Sequence, residues 1–345
     1  MAVISPGAVI NAVLPVYLLI VAGALLRKTG VLRHEHDAGV MQVVYAVMLP
    51  CFMLDKILGA EVLRSGAVVV WGIGLGFGLL LSGLLIAWGM ARVLGLEVGT
   101  GRRTFTVAAG CQNYGFTAIP VLEILWGSSA CAMLFVHNIG VEAAMWSVGV
   151  MIMSGARGVP WRKLPNGPMI AVFLGLALVG LGLDRHFGVA GDPSSAAISP
   201  LGSPSGLHWD QLVFFPLRKV INLLGVGAFP VAILITGATM VGLTEAEKPS
   251  VRIIVGSVLV RLMLAPALIL AAAKYLPLVD ELRQVLVVQA AMPAAMTPIM
   301  LARLYGGRPA IAVQVVVATT LGSLLTLPWI IYWGIQWIGL KPLLP

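Results

Sequence analysis

The chain has 345 residues, 59% of them hydrophobic and only 10% charged, with a mean hydropathy of +0.99. Soluble domains are about 45–50% apolar and roughly 25% charged, and disordered chains lack apolar residues, so both classes are excluded. The net charge of +8 reads as membrane topology, because basic residues gather on one side of a bilayer, and no nucleic-acid partner is expected.

A hydrocarbon core about 30 Å thick needs about 20 helical residues. In chain order, ten stretches meet that length: 7–26, 38–58, 66–91, 104–125, 129–153, 168–187, 216–242, 252–276, 283–302 and 309–337. Alternation of period two is absent, so a β-barrel is not expected. The first stretch runs straight into Arg27 and Lys28 without a small-residue cleavage site, which predicts a retained helix rather than a signal peptide. If both termini lie on the non-cytoplasmic side, the inner loops hold most of the basic residues: Arg27, Lys28, Arg33, Arg92, Arg102, Arg103, Arg157, Arg162, Lys163, Lys248, Arg252, Arg303 and Arg308. Positive-inside bias therefore predicts a multi-pass protein of the cell inner (plasma) membrane with both termini outside.

Two connections stand out. Residues 155–167 are short and basic and read as a cytoplasmic connector between halves, 1–154 and 168–345. Residues 188–211 are rich in Gly, Ser and Pro and read as an external loop.

Prolines carry an internal repeat. Pro50 and Pro120 fall in the second and fourth stretches, and Pro230 and Pro298 in the seventh and ninth, 70 and 68 residues apart respectively. Proline lacks the backbone N–H and clashes with the carbonyl one turn back, so each is expected to interrupt its helix. Open backbone inside a bilayer survives only where protein or a wet cavity satisfies it. Five crossings per half make the two copies inverted, and inverted repeats with matched broken helices mark secondary transporters. The expected fold is all-α: ten transmembrane helices in two inverted five-helix repeats, with broken helices 4 and 9 crossing at the midplane. Two half-helix N-termini at the crossing would favour a carboxylate.

The residues around these breaks resemble the auxin efflux carrier family, which includes plant PIN-type carriers and bacterial malate or malonate carriers. The likeness rests on Gln289-Ala-Ala-Met-Pro293 followed by Pro298, Ala302, Arg303 and Tyr305, and on Asn113-Tyr-Gly-Phe-Thr-Ala-Ile-Pro120. Weaker similarity covers LPVYLLIVAGALLRKTG, YAVMLPCFML, LPNGPMIAVFLGL and FPVAILITGATM. The resemblance implies a scaffold of helices 1, 2, 6 and 7, a transport core of helices 3–5 and 8–10, and homodimers through the scaffold. It implies an organic anion as substrate. The short fifth-to-sixth connection and the acids near the breaks depart from the plant pattern, which argues against plant auxin itself.

Polar residues inside the membrane mark the candidate site, since buried charge costs several kcal/mol unless paired or solvated. Asn113 and Gln289 each precede a break, where an amide can replace a backbone bond or bind a carboxylate. Tyr114, Thr297, Pro120, Pro293 and Pro298 flank the breaks. Asn138 and Glu142 share one face of the fifth stretch, and Arg261 lies within the eighth. Glu142 and Arg261 are expected to face the core interior, either sensing substrate or a coupling proton or joined as a structural ion pair. Glu123 is expected near the outer end in a solvated role. Met292, Met296 and Met300 either line an adaptable site or pack ordinarily.

No catalytic residue, cofactor or metal is expected. Cys51, Cys111 and Cys131 are isolated in apolar runs, and no GxxxxGK[ST], HExxH or GxSxG motif occurs. His137 and Glu142, five residues apart, would sit about 140° apart on a helix and do not converge. The reading is a secondary carrier of a small organic anion. A sodium- or proton-coupled exchanger of the same architecture and a membrane sensor without net transport are the alternatives.

Overall fold

Peptide groups in hydrocarbon must bond within their own segment, so apolar runs of this length become helices. The computed structural model describes residues 6–115, 117–156, 167–187, 209–241 and 249–342. These hold helices α1 Pro6–Lys28, α2 His34–Ile57, α3 Gly66–Val93, α4 Thr100–Gly110, α5 Ala118–Trp126, α6 Ser128–Ser154 and α7 Gly167–Gly180. They continue with α8 Trp209–Val226, α9 Ala228–Val241, α10 Val251–Tyr275, α11 Asp280–Ala291, α12 Thr297–Leu304 and α13 Pro309–Ile338. Residues 157–166 of the expected connector and 188–208 of the expected external loop lie outside the described residues.

Among the described residues, seven helical segments are long and apolar enough to cross a membrane, and α7 is a shorter apolar helix. Large apolar side chains such as Leu18, Val70, Leu85, Leu181, Leu325 and Trp333 face outward, as lipid-facing residues do. Two further segments, 100–126 and 280–304, are each split into a pair of short helices.

The four prolines of the expected repeat act in two ways. Pro120 and Pro298 sit in the first turns of α5 and α12, where a missing N–H costs nothing, so the breaks lie just before them. Pro230 likewise sits in the first turn of α9, which follows α8 after Gly227. Pro50, expected to interrupt its helix, does not. α2 runs through it after widening to a π turn at Val44–Met48. The wider turn accommodates the proline ring and its missing donor without ending the helix.

Small residues bring two helix pairs into backbone contact. α1 lies along α9: a Cβ on Gly23 would meet the Leu234 carbonyl oxygen at 1.9 Å, and one on Gly237 the Ile20 oxygen at 2.0 Å. α3 lies along α6: a Cβ on Gly76 would meet the His137 oxygen at 2.0 Å, and one on Gly140 the Ile73 oxygen at 1.9 Å. In lipid, where hydrophobicity does not drive helices together, such close packing is the main source of association.

Arg27 is more than a topology marker. Its guanidinium donates to the Asp37 carboxylate at 2.6 Å and to the carbonyls of Leu32 at 3.0 Å and Ala238 at 3.2 Å. It thereby ties the ends of α1, α2 and α9 together. On the opposite face, Asp55 of α2 accepts from Asn222 at 3.0 Å and pairs with Arg218 at 3.6 Å, joining α2 to α8.

Candidate functional site

The two split segments meet at their breaks. The Asn113 N–H donates to the Pro293 carbonyl at 2.7 Å, and the Ala295 N–H donates to the Cys111 carbonyl at 3.0 Å. With the antiparallel bridge between Gln112 and Ala294, this is a two-rung ribbon made of unwound chain inside a helical protein. Each break thus supplies part of the backbone bonding that the other lost.

Side chains hold the first break in place. The Tyr114 carbonyl accepts from Asn138 Nδ2 at 2.9 Å and from Gln289 Nε2 at 3.1 Å. The Tyr114 hydroxyl donates to Glu142 Oε1 at 2.7 Å, and Trp146 Nε1 donates to Glu142 Oε2 at 2.6 Å. Asn138 and Glu142, one helical turn apart on α6, therefore both act on Tyr114. Asn113 Nδ2 donates to Thr117 Oγ1 at 3.0 Å, spanning the unwound turn that precedes α5. At the second break the Ala294 N–H donates to Thr319 Oγ1 of α13 at 3.1 Å.

In front of the crossing lies a narrow cleft with about 20 Å³ of open space, room for about one water molecule. Its described walls are Tyr17 and Ile20 of α1, Thr236 and Met240 of α9, and Val316 and Thr320 of α13. Asn113, Thr117, Pro293, Ala294 and Met296 from the breaks complete it. The Tyr17 hydroxyl shares a hydrogen bond with Ser323 Oγ at 3.3 Å. These walls offer hydroxyls and one amide but no charged side chain. They suit a polar or anionic ligand met by neutral donors and half-helix ends.

The expected residues thus divide. Asn113 and Pro293 line the cleft, as does Met296. Tyr114, Asn138, Glu142 and Gln289 form the support behind it. Gln289 serves the opposite break rather than its own. Pro120, Thr297 and Pro298 open half-helices and are not among the cleft walls. Arg261 is buried in α10, and among the described residues no ion pair joins it to Glu142. Met292 is fully buried, and Met300 is exposed on the outer surface of α12. Glu123, expected in a solvated role, accepts from Lys56 of α2, whose ammonium also reaches Ser128 Oγ at 3.4 Å.

Tyr17, Thr117, Thr236 and Thr320 were not anticipated. Thr117 lies four residues after Asn113, a spacing that hints at a local amide–hydroxyl bond. For the other three, the only sequence signal is a hydroxyl within an apolar run, and membrane hydroxyls commonly satisfy themselves on the preceding turn, as Thr236 does on Ala232 at 2.8 Å.

A family model described as membrane transport protein matches the chain over residues 8–159 and 155–331. No curated protein matches it.

Proposed function

The chain belongs to the membrane transport protein family, that of the auxin efflux carriers, and on that premise we propose that it carries a small organic anion by alternating access. The cleft in front of the crossing, water-sized in this conformation, widens in the transport cycle to take the substrate against Asn113, Thr117 and the starts of α5 and α12. The observation that supports this reading is the ribbon between the two breaks, which sets unwound peptide and two half-helix ends beside one mostly apolar cleft that carries a few hydroxyls and an amide. Such broken-helix sites at a repeat interface are where secondary carriers hold substrate.

In this reading the seven long helices, α7 and the two split segments make ten crossings in two inverted halves. α1, α2, α7, α8 and α9 form the scaffold, which also makes the homodimer contact. α3–α6 and α10–α13 form the moving core. With both termini outside the plasma membrane, Met240 and Val316 lie toward the cytoplasmic ends of α9 and α13. The cleft then opens inward, while Lys56 of the scaffold bonds Glu123 of the core on the outer side and keeps that side closed. The charge-free walls favour an anion carrier over a cation exchanger, and Glu142, behind the site, is the group placed to couple a proton.

Counterflow of labelled mono- and dicarboxylates in proteoliposomes tests the reading. Wild type is expected to show saturable flux. Asn113→Ala and Thr117→Val are expected to lower it by about tenfold or more, the scale of one or two lost hydrogen bonds to a charged ligand. Flux equal to wild type in both variants, with the fold intact, would remove the cleft from the pathway.

A further inference from the structure

Arg261 lies in the membrane interior of α10, in the π turn Val260–Leu264 just before Pro266. It is 1% exposed, the largest side chain so completely buried among the described residues. Its Nε and Nη2 have no hydrogen-bond partner. A guanidinium stays charged in any protein environment, so this position holds a cation whose Nε and Nη2 donors meet no acceptor among the described residues.

Among the described residues no ion pair joins Arg261 to an acid. The π turn packs against α3, α4 and α13. None of these helices contains an Asp or Glu anywhere along its length, and neither does α10 itself. Arg261 lies near enough to Cys111, the first residue of the first break, for its charge to act on that side chain. The acid associated with that break, Glu142, accepts from Tyr114 and Trp146. A buried charge left without a partner costs several kcal/mol, and π turns often mark functional positions. No residue of α10 lines the cleft, so the carrier reading above gives Arg261 no task.

We propose that Arg261 is the anchor of a second anion-binding subsite, inside the core beside the first break and distinct from the cleft, which takes a compact monovalent anion. The chemistry is that of a halide or a small carboxylate accepting from Nε and Nη2, the edge of the guanidinium that accepts such groups in a fork. An inorganic anion from solution and a small carboxylate share that chemistry, and the test separates them.

The measurement is thermal unfolding of the purified full chain at constant ionic strength, with bulky gluconate replaced stepwise by chloride, bromide, formate or acetate. A native-state ligand raises the midpoint in a saturable way. The expected result is a rise in wild type that is lost in Arg261→Met. A rise with the halides identifies an inorganic occupant, and a rise with formate or acetate alone identifies a carboxylate. Arg261→Met in gluconate is expected to be at least as stable as wild type, because an apolar chain of similar length removes an unpaired buried charge. If that variant does not fold, Arg261→Lys replaces it, with apparent anion affinity expected to fall about tenfold because a point charge cannot reproduce the fork. No anion response in wild type, or an equal response in the variant used, overturns the subsite. Asn113→Ala keeps the anion response while losing flux, so failure of this subsite and failure of the cleft reading are told apart.

Discussion

At residues 111–115 the unwound chain is held by side chains reaching in from two other helices. Asn138 and Gln289 both cap the Tyr114 carbonyl, Glu142 holds the Tyr114 hydroxyl, and Trp146 in turn holds Glu142. At residues 292–296 the chain is Met-Pro-Ala-Ala-Met, and the side chains that bond it are two hydroxyls, Thr319 at the Ala294 N–H and Thr239 at the Met296 sulfur, beside the backbone rungs of the ribbon. The two breaks occupy matched places in the chain but differ in chemistry. One is polar and overdetermined, and the other is apolar and lightly held. Two breaks at matched places in the chain therefore do not divide the work equally. The first break carries the amide, hydroxyl and carboxylate groups, and the second supplies mainly shape and backbone.

Emptying the polar break of its support is the strongest way to test that contrast. Asn138→Leu combined with Gln289→Leu leaves the Tyr114 carbonyl without its side-chain donors, at a cost of about 2–3 kcal/mol in unfolding free energy. Each single change leaves one donor in place and is expected to cost about 0.5–1 kcal/mol, so a double-mutant cycle reads a coupling of about 1 kcal/mol. Strict additivity would show that the two amides do not share the carbonyl.

Glu142→Gln comes next. A Gln side chain offers only one oxygen to the two donors, so Tyr114 or Trp146 loses its acceptor, and about 1.5 kcal/mol of stability goes with it. The emission of Trp146, read against a Trp146→Phe control, is expected to shift in the same variant. An unchanged midpoint would mean that the carboxylate does not hold the break.

The smallest effect belongs to the apolar break. Thr319→Val strands the buried Ala294 N–H, and an interhelical hydrogen bond in a membrane protein is worth about 0.6 kcal/mol on average. A midpoint change well above that of Glu142→Gln would reverse the contrast between the breaks.

Much of this architecture was legible in the chain itself. Apolar length set the helices, and Pro120 and Pro298 marked the two breaks, because both depend only on neighbouring residues: how far a helix must run to cross hydrocarbon, and where a backbone donor is missing. Pro50 shows the limit of that logic, since a π turn, a choice of helix winding rather than composition, carries α2 past it. The spacing of Asn138 and Glu142 also placed them on one face before any partner was known.

Which partner each polar group finds was decided only in three dimensions. Gln289 donates to a carbonyl 175 residues away in the other break, and Tyr17, Thr236 and Thr320 reach the same cleft from three different helices. A hydrogen bond is set by positions to within a few tenths of an ångström. Those positions follow from how helices cross, as at Gly23 and Gly237 or Gly76 and Gly140, and no local pattern of residues encodes a crossing.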